Sequence, residues 1–333
     1  MMCVDAAPAD IVKRPGFKHA METLDPRYTV PHPSSFSRTV IPKLKQTVDN
    51  FHMKRIEEVI SKETSIAFST DGLDCQDSER SAVYSFTLHF YKDNKLCSEV
   101  LFVKDLKPPV TGEVVKDFLT DCLQAIKALD KDGHPKLDIW AVTDEGSNLL
   151  KALRLMKLEG IIAGHHSCFN HNLQNVIKDA INATRGMEKS LKAFRDIATA
   201  LSWSKKERAT YKRICKANDA RAVRLPVPND TRWFGQLELM ENGVLGEEGI
   251  KLYLATSNAG NSLNASDWKN AHGFVEIMKP FHSATKIEEG ETYLTLSLVI
   301  PVLSILHEKT TSYTKNRAHN GFGILFARNI LAS

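Results

Sequence analysis

The 333-residue chain predicts a mixed α/β fold with a second, helical region. Three observations carry this. Apolar and polar residues alternate strictly from Val83 to Phe90. Apolar residues recur at three and four from Val115 to Ile126. A short apolar run, Leu137 to Val142, follows and closes on Thr143-Asp144.

The elements follow in order. Residues 1–60 form an N-terminal helical segment punctuated by Pro8, Pro15, Pro26, Pro31, Pro33 and Pro42, so its helices are expected to be short. Ser65 to Thr70 is a strand-like run ending at Asp71-Gly72. Tyr84, Phe86, Leu88 and Phe90 share one side of the next strand, with Ser85, Thr87 and His89 on the other. Asp93-Asn94 supplies a turn, and Glu99 to Val103 returns as a third strand. The helix at 115–126 stops at Asp132-Gly133 and Pro135. After strand 137–142, Ser147 is placed to cap a helix with Leu150, Leu153 and Met156 on its apolar face. Ile161-Ile162-Ala163 is the last short strand. One long helix follows, with Leu173, Ile177 and Ile181, then Leu191, Phe194 and Leu201, on a single stripe. Residues 236–333 contain helix and loop without strand alternation.

Three strands, helix, strand, helix, strand, helix is the order of a ribonuclease H-like mixed sheet with helices on both faces. The expected divisions are 1–60, then 61–235 as an incomplete ribonuclease H-like domain. The region 236–333 is the start of an all-α insertion with an atypical tail.

Composition narrows the function classes. Lys plus Arg total 44 and Asp plus Glu 40, a net of +4, with 25% charged and 42% hydrophobic residues. These values exclude a disordered chain and a protein that coats nucleic acid by bulk charge. The most apolar stretch, Leu294 to Leu306, is interrupted by Thr295, Ser297, Pro301 and Ser304, so no membrane partner is expected. The first residues show no apolar leader. Six cysteines without a Cys-x-x-Cys pair suit a reducing compartment.

Asp71 and Asp144 fall at the ends of the first and fourth strands. On neighbouring strands, two such carboxylates converge as hard oxygen ligands for a pair of Mg²⁺ ions. Two plainer readings compete. Asp71-Gly72 is also a hairpin-turn dipeptide, and Asp144 precedes a helix that it could cap. His165, His166, Cys168 and His171 fall within seven residues. A zinc site would need a matching second pair, which the sequence does not offer, so Cys168 and His171 are expected to fix a helix corner and no zinc site is expected.

Residues 185–224 hold twelve Lys or Arg against four acids. Lys205, Lys206, Arg208, Lys212 and Arg213 could follow a phosphate backbone, with Trp203 and Tyr211 interleaved, or form a solvated helix surface. Arg232-Trp233 could hold a phosphate and stack on a base, or be a core Trp beside a snorkelling Arg.

Together these segments resemble the hAT superfamily of DNA transposases, in particular the BED zinc-finger proteins domesticated from it. The resemblance runs from residue 11 to about 306. It rests on IVKRPGFKHAMETLDPRYTVPHPSSFSRTVIPKL (11–44), FSTDGL (68–73), AVTDEGSNLLKAL (141–153), CFNHNLQNVIKDA (168–180), DTRWFG (230–235) and the segment 267–306. Leu73 stands where the family usually has Trp. The resemblance implies that Asp71 and Asp144 are the first two acids of a D-D-E site taking Mg²⁺ or Mn²⁺. It makes Cys168 and His171 a structural corner, and places Trp233 near a flipped base.

The departures matter equally. No Cys-x-x-Cys of a BED finger precedes residue 60. Glu276, Glu288, Glu289, Glu291 and Glu308 do not sit in the surroundings of the third acid, and no C-terminal dimerisation segment is recognisable. The resemblance therefore implies a nuclear, transposase-derived protein that binds DNA with low specificity and has no transposition activity of its own. A homodimer or a chromatin protein is the implied protein partner. The alternatives are a fragment of an active transposase performing metal-dependent strand cleavage and transfer, and a protein-interaction module acting through the helical segment. Leu294, Leu296, Leu298, Val299, Ile300, Val302, Leu303 and Leu306 are expected to leave an apolar patch.

Overall fold

The computed structural model describes residues 8–74, 82–228, 233–256, 262–290, 293, 295–316 and 321–333. The chain divides into two compact units, Met1–His166 and Ser167–Ser333.

In the first unit a 3₁₀ turn at Ala9–Lys13 leads into helix α1 (Pro15–Leu24). A short turn α2 (Pro33–Ser35) and a π-helical stretch Phe36–Val40 run into α3 (Ile41–Lys62). At 22 residues α3 is longer than the prolines suggested. Pro42 lies in its first turn, where the missing N–H has no intrahelical partner to lose.

Strands β1 (Ser65–Asp74), β2 (Ala82–Lys92) and β3 (Lys95–Leu106) form an antiparallel meander. Asp93 and Asn94 turn β2 into β3 with both φ values positive, at 52° and 58°, the conformation that two-residue hairpins prefer. Helix α4 (Gly112–Ala125) crosses to β4 (Asp138–Thr143), which pairs parallel to β1, and α5 (Ser147–Leu158) leads to β5 (Gly164–Ser167). The sheet order is β3-β2-β1-β4-β5, a mixed sheet in a mixed α/β fold.

The alternation seen in β2 is realised side chain by side chain. Tyr84, Phe86, Leu88 and Phe90 are buried with Ile66, Phe68, Ile139 and Ala141. Helices α3, α4 and α5 complete this core on that one face through Ile56, Leu119 and Leu153, where the sequence predicts helices on both faces. The opposite face of the sheet carries Ser69, Asp71, Ser85, Thr87 and His89, none of which joins the core.

Three details differ from the sequence expectation. Asp71-Gly72 is not a turn: β1 runs on to Asp74, and Gly72 pairs with Tyr84. A Cβ on Gly72 would sit 2.8 Å from the Tyr84 ring, so the glycine serves close approach. The last strand is Gly164–Ser167 rather than 161–163, because the buried Ile161 and Ile162 anchor the approach to it. Ser147 is the first residue of α5 and makes no capping bond; Asp144 instead accepts the Gly146 N–H at 3.1 Å.

The second unit is helical: α6 (Phe169–Ala183), α7 (Met187–Trp203), α8 (Lys205–Ala217), α9 (Trp233–Leu245), α10 (Glu247–Thr256), α11 (Ala265–Glu288), α12 (Val299–Lys315) and α13 (Gly321–Ala332). The single long helix expected after residue 168 is two, broken at Gly186, whose φ of +86° only glycine adopts without cost. Their stripe holds as expected: Leu173, Ile177, Leu191 and Phe194 share one core with Trp233, Trp268, Phe274 and Phe326. Residues 169–203 therefore pack with the later helices, where the expected sheet domain ran to residue 235. At the centre, Ser190 on α7 donates to Asp267 at 2.7 Å and accepts from Asn270 at 2.9 Å. Of the expected apolar patch, Ile300, Leu296 and Leu303 are exposed, while Val302 and Leu306 are buried; Leu294 lies outside the described residues.

Candidate metal-binding acids and nucleic-acid surface

The parallel β1–β4 register ends at Thr70 opposite Thr143, so Asp71 and Asp144 are the next residues on adjacent strands. By the alternation of each strand both lie on the sheet face away from the core. Asp71 is exposed and Asp144 half-buried. The two strands that carry these acids are neighbours, as expected.

Its donor set is thin. One oxygen of Asp144 already accepts the Gly146 N–H, tying the carboxylate into the turn before α5. Mg²⁺ asks for near-octahedral oxygen coordination, and two carboxylates supply a minority of it. Among the described residues, no group of three or more His, Cys, Asp or Glu side chains is arranged to hold a metal. The residues fit a divalent ion poorly.

Beside Asp71 on the same face runs a hydrogen-bonded chain that the sequence did not suggest. Ser69 Oγ lies 2.8 Å from His89 Nε2, and His89 Nδ1 lies 2.9 Å from Ser98 Oγ. Burial lowers the pKa of His89 below the usual histidine value, because desolvation disfavours the imidazolium. Register pairing of Ala67 with His89 and Ser98 with His89 is the signal that could have found it.

In the second unit Cys168 occupies the N-cap position of α6 without a side-chain capping bond, and His171 lies in the first turn. On β5 of the first unit, His166 stacks on Trp140, with ring centroids 5.6 Å apart. Lys205, Lys206, Arg208, Lys212 and Arg213 of α8 are all exposed. Arg208 also closes the end of α7, donating from Nε to the Leu201 carbonyl at 2.9 Å and from Nη2 to the Ser202 carbonyl. It is a helix C-terminal clamp, a placement favoured by the helix dipole.

The aromatics separate as well. Trp203 is 84% exposed. Tyr211 is buried, its hydroxyl accepting the Val223 N–H at 3.1 Å, and burial raises its pKa to about 12. Trp233 is 5% exposed, stacked on Phe234 at 4.3 Å and edge-on to His282. Phe234 covers one ring face and Trp233 belongs to the helical core, while it also lines a cleft between α6, α7 and α9. Arg232 lies outside the described residues.

A cleft of about 730 Å³ between α6, α7 and α9 gathers cations that the sequence pattern does not single out, Lys178, Lys189, Lys192 and Arg195, and is lined by Glu188 and Asp196 as well. Three of them recur at three-residue intervals along α7, which is the signal for a shared helix side. Among the described residues no helix is long and apolar enough to cross a membrane.

No protein-family model matches the chain. Among curated proteins it is similar to the human "Zinc finger BED domain-containing protein 4", with 23% identity over 321 residues, 93% of this chain. The chain spans about a quarter (26%) of that protein's length. The likeness is to a protein named for a BED zinc finger.

Proposed function

We propose that this chain is a transposase-derived nuclear protein that binds DNA with low sequence specificity and does not itself transpose DNA. Its sheet would be a ribonuclease H-like core kept as a scaffold, with Asp71 and Asp144 as the vestige of a D-D-E site. The observation that carries the proposal is the placement of these two acids. They follow register partners on the central parallel pair of a β3-β2-β1-β4-β5 sheet. The relative's name, a BED zinc-finger protein, supports a BED-type ancestry. The poor donor set argues against strand cleavage by these residues alone. Mg²⁺ or Mn²⁺ would enter only if cleavage occurred.

Exposed Lys205, Lys206, Lys212 and Arg213 supply phosphate contacts in this proposal, with the cations of the α6–α7–α9 cleft as a second surface. The test is affinity for a short DNA duplex across a salt series, with and without Mg²⁺. Four phosphate contacts would give a slope of about −4 in log K against log salt. Absence of binding at low salt would overturn the DNA-binding reading. Plasmid nicking that needs Mg²⁺ or Mn²⁺ and disappears in Asp144→Asn would overturn the non-enzymatic one.

A further inference from the structure

The first half of α3 carries an apolar seam that its own unit leaves uncovered. Ile41, Leu44, Val48 and Phe51 are spaced three, four and three, the repeat that places side chains along one helix side. All four are exposed, Phe51 by 66% and Leu44 by 45%. The buried residues of α3, Ile56 and Val59, both belong to its second half. The seam is about 15 Å long at 1.5 Å per residue, two turns and more of helix. Four large aliphatic and aromatic side chains in one row are not a surface that phosphate or water would favour.

The seam's borders are basic. Over residues 38–54 the chain has Arg38, Lys43, Lys45 and Lys54 against the single acid Asp49. The positions flanking the seam, fifth and seventh in each heptad, are Lys45, Thr47, His52 and Lys54. Lys45 is paired with Asp49 one turn on, and its side chain remains 72% exposed. A second copy of α3 would offer Lys45 and Lys54 only Thr47 and further lysine across such a seam, since His52 is held by Glu99 of its own unit. An amphipathic helix with Glu or Asp on its flanks would meet both the apolar row and the charge.

We propose that the first half of α3 is a docking surface for an acidic amphipathic helix of a partner protein. Leu44, Val48 and Phe51 are the anchors, and Lys45 and Lys54 set the charge preference. Beside the seam, Lys45 and Asp49 of the same helix half line a groove of about 530 Å³ together with Val100, Val103 and Phe118.

The test uses the full chain and two labelled 18-residue helical peptides, each with Leu at the first and fourth heptad positions. One carries Glu at the fifth and seventh, the other Lys. Fluorescence anisotropy is expected to show the Glu peptide binding at least tenfold more tightly than the Lys peptide, with an affinity that falls as salt rises. Leu44→Glu, at an exposed position, is expected to weaken it at least tenfold while leaving duplex DNA affinity unchanged. Lys45→Glu combined with Lys54→Glu is expected to reverse the preference, a gain that misfolding cannot imitate. Equal binding of the two peptides, or none, would overturn the proposal. So would a dimer in sedimentation that Leu44→Glu dissolves, which would assign the seam to a second copy. A loss of DNA affinity in the double charge reversal, with peptide binding unaffected, would assign the surface to nucleic acid.

Discussion

Thr70 stands opposite Thr143 at the end of the parallel β1–β4 pair, both buried, so Asp71, still within β1, and Asp144, just past β4, are the next residues on adjacent strands. Two carboxylates without a third donor bind a divalent ion weakly. A site with a millimolar dissociation constant stabilises the fold by about 0.4 kcal/mol at 1 mM ion, from RT ln(1 + [L]/Kd). Urea unfolding in 1 mM Mn²⁺ is therefore expected to shift by no more than this, and Asp71→Asn with Asp144→Asn to remove the shift. A gain near 3 kcal/mol, lost in the same variant, would reveal a complete metal site.

Trp233 tests scaffold against surface. Truncating a buried Trp costs about 3–5 kcal/mol. Trp233→Ala is expected to lower stability to urea by that order, and Trp233→Phe by much less, because the stack on Phe234 can persist. DNA affinity of the folded Phe variant should match the parent. If Trp233→Phe kept its stability but bound DNA tenfold more weakly, the ring would have a role in recognition after all.

The elements most legible in the sequence were those whose side-chain period is imposed by one buried face. Tyr84, Phe86, Leu88 and Phe90 alternate because α3, α4 and α5 cover only their side of the sheet. The Asp93-Asn94 turn was legible for a local reason, since both residues tolerate positive φ. β5 was misplaced because Gly-His-His-Ser has no apolar signature; its pairing comes from position in the sheet. The break at Gly186 hid within a stripe that stays in phase across it, since Leu191 and Phe194 return to the core that holds Ile177. The adjacency of the strands carrying Asp71 and Asp144 was legible from the order of elements, although β1 continues past Asp71 to Asp74. The burial of Trp233 and Tyr211 was not, because a Trp or Tyr among basic residues looks the same whether it faces a base or a core. What decides it is packing from helices distant in sequence, such as Tyr253 against Tyr211.

His89 predicts an acid limit on stability. Its folded pKa lies below the unfolded value near 6.5, because burial opposes charging. The unfolded chain then binds more protons than the native one as pH falls through 6.5, so stability rises with pH in that window. The contribution is complete above the unfolded pKa and is lost as pH falls toward the folded one. Urea melts at pH 7.5, 6.5 and 5.5 should show a decline that is shallower in His89→Gln. Parallel declines in both proteins would assign the acid sensitivity to other groups.

Glu99 offers the sharpest electrostatic test. Its side chain is only 8% exposed, yet it accepts from Arg55 Nη1 at 2.6 Å and pairs with His52. Arg55 also donates to Cys97 Sγ and lies over the Phe90 ring at 5.3 Å, so the guanidinium is fixed on three sides. Removing one partner of a buried ion pair costs about 3–5 kcal/mol, chiefly because the other charge is left unanswered. Arg55 keeps 29% of its side chain in water, which screens it and lowers the expected cost of Glu99→Gln to about 2 kcal/mol. Replacing both charges, Glu99→Leu with Arg55→Met, leaves no stranded ion and retains an apolar stem over Phe90. The double variant is therefore expected to be more stable to urea than Glu99→Gln. If it were less stable, the pair would be worth more than the desolvation it requires, and the link from α3 to β3 would be primarily ionic rather than apolar.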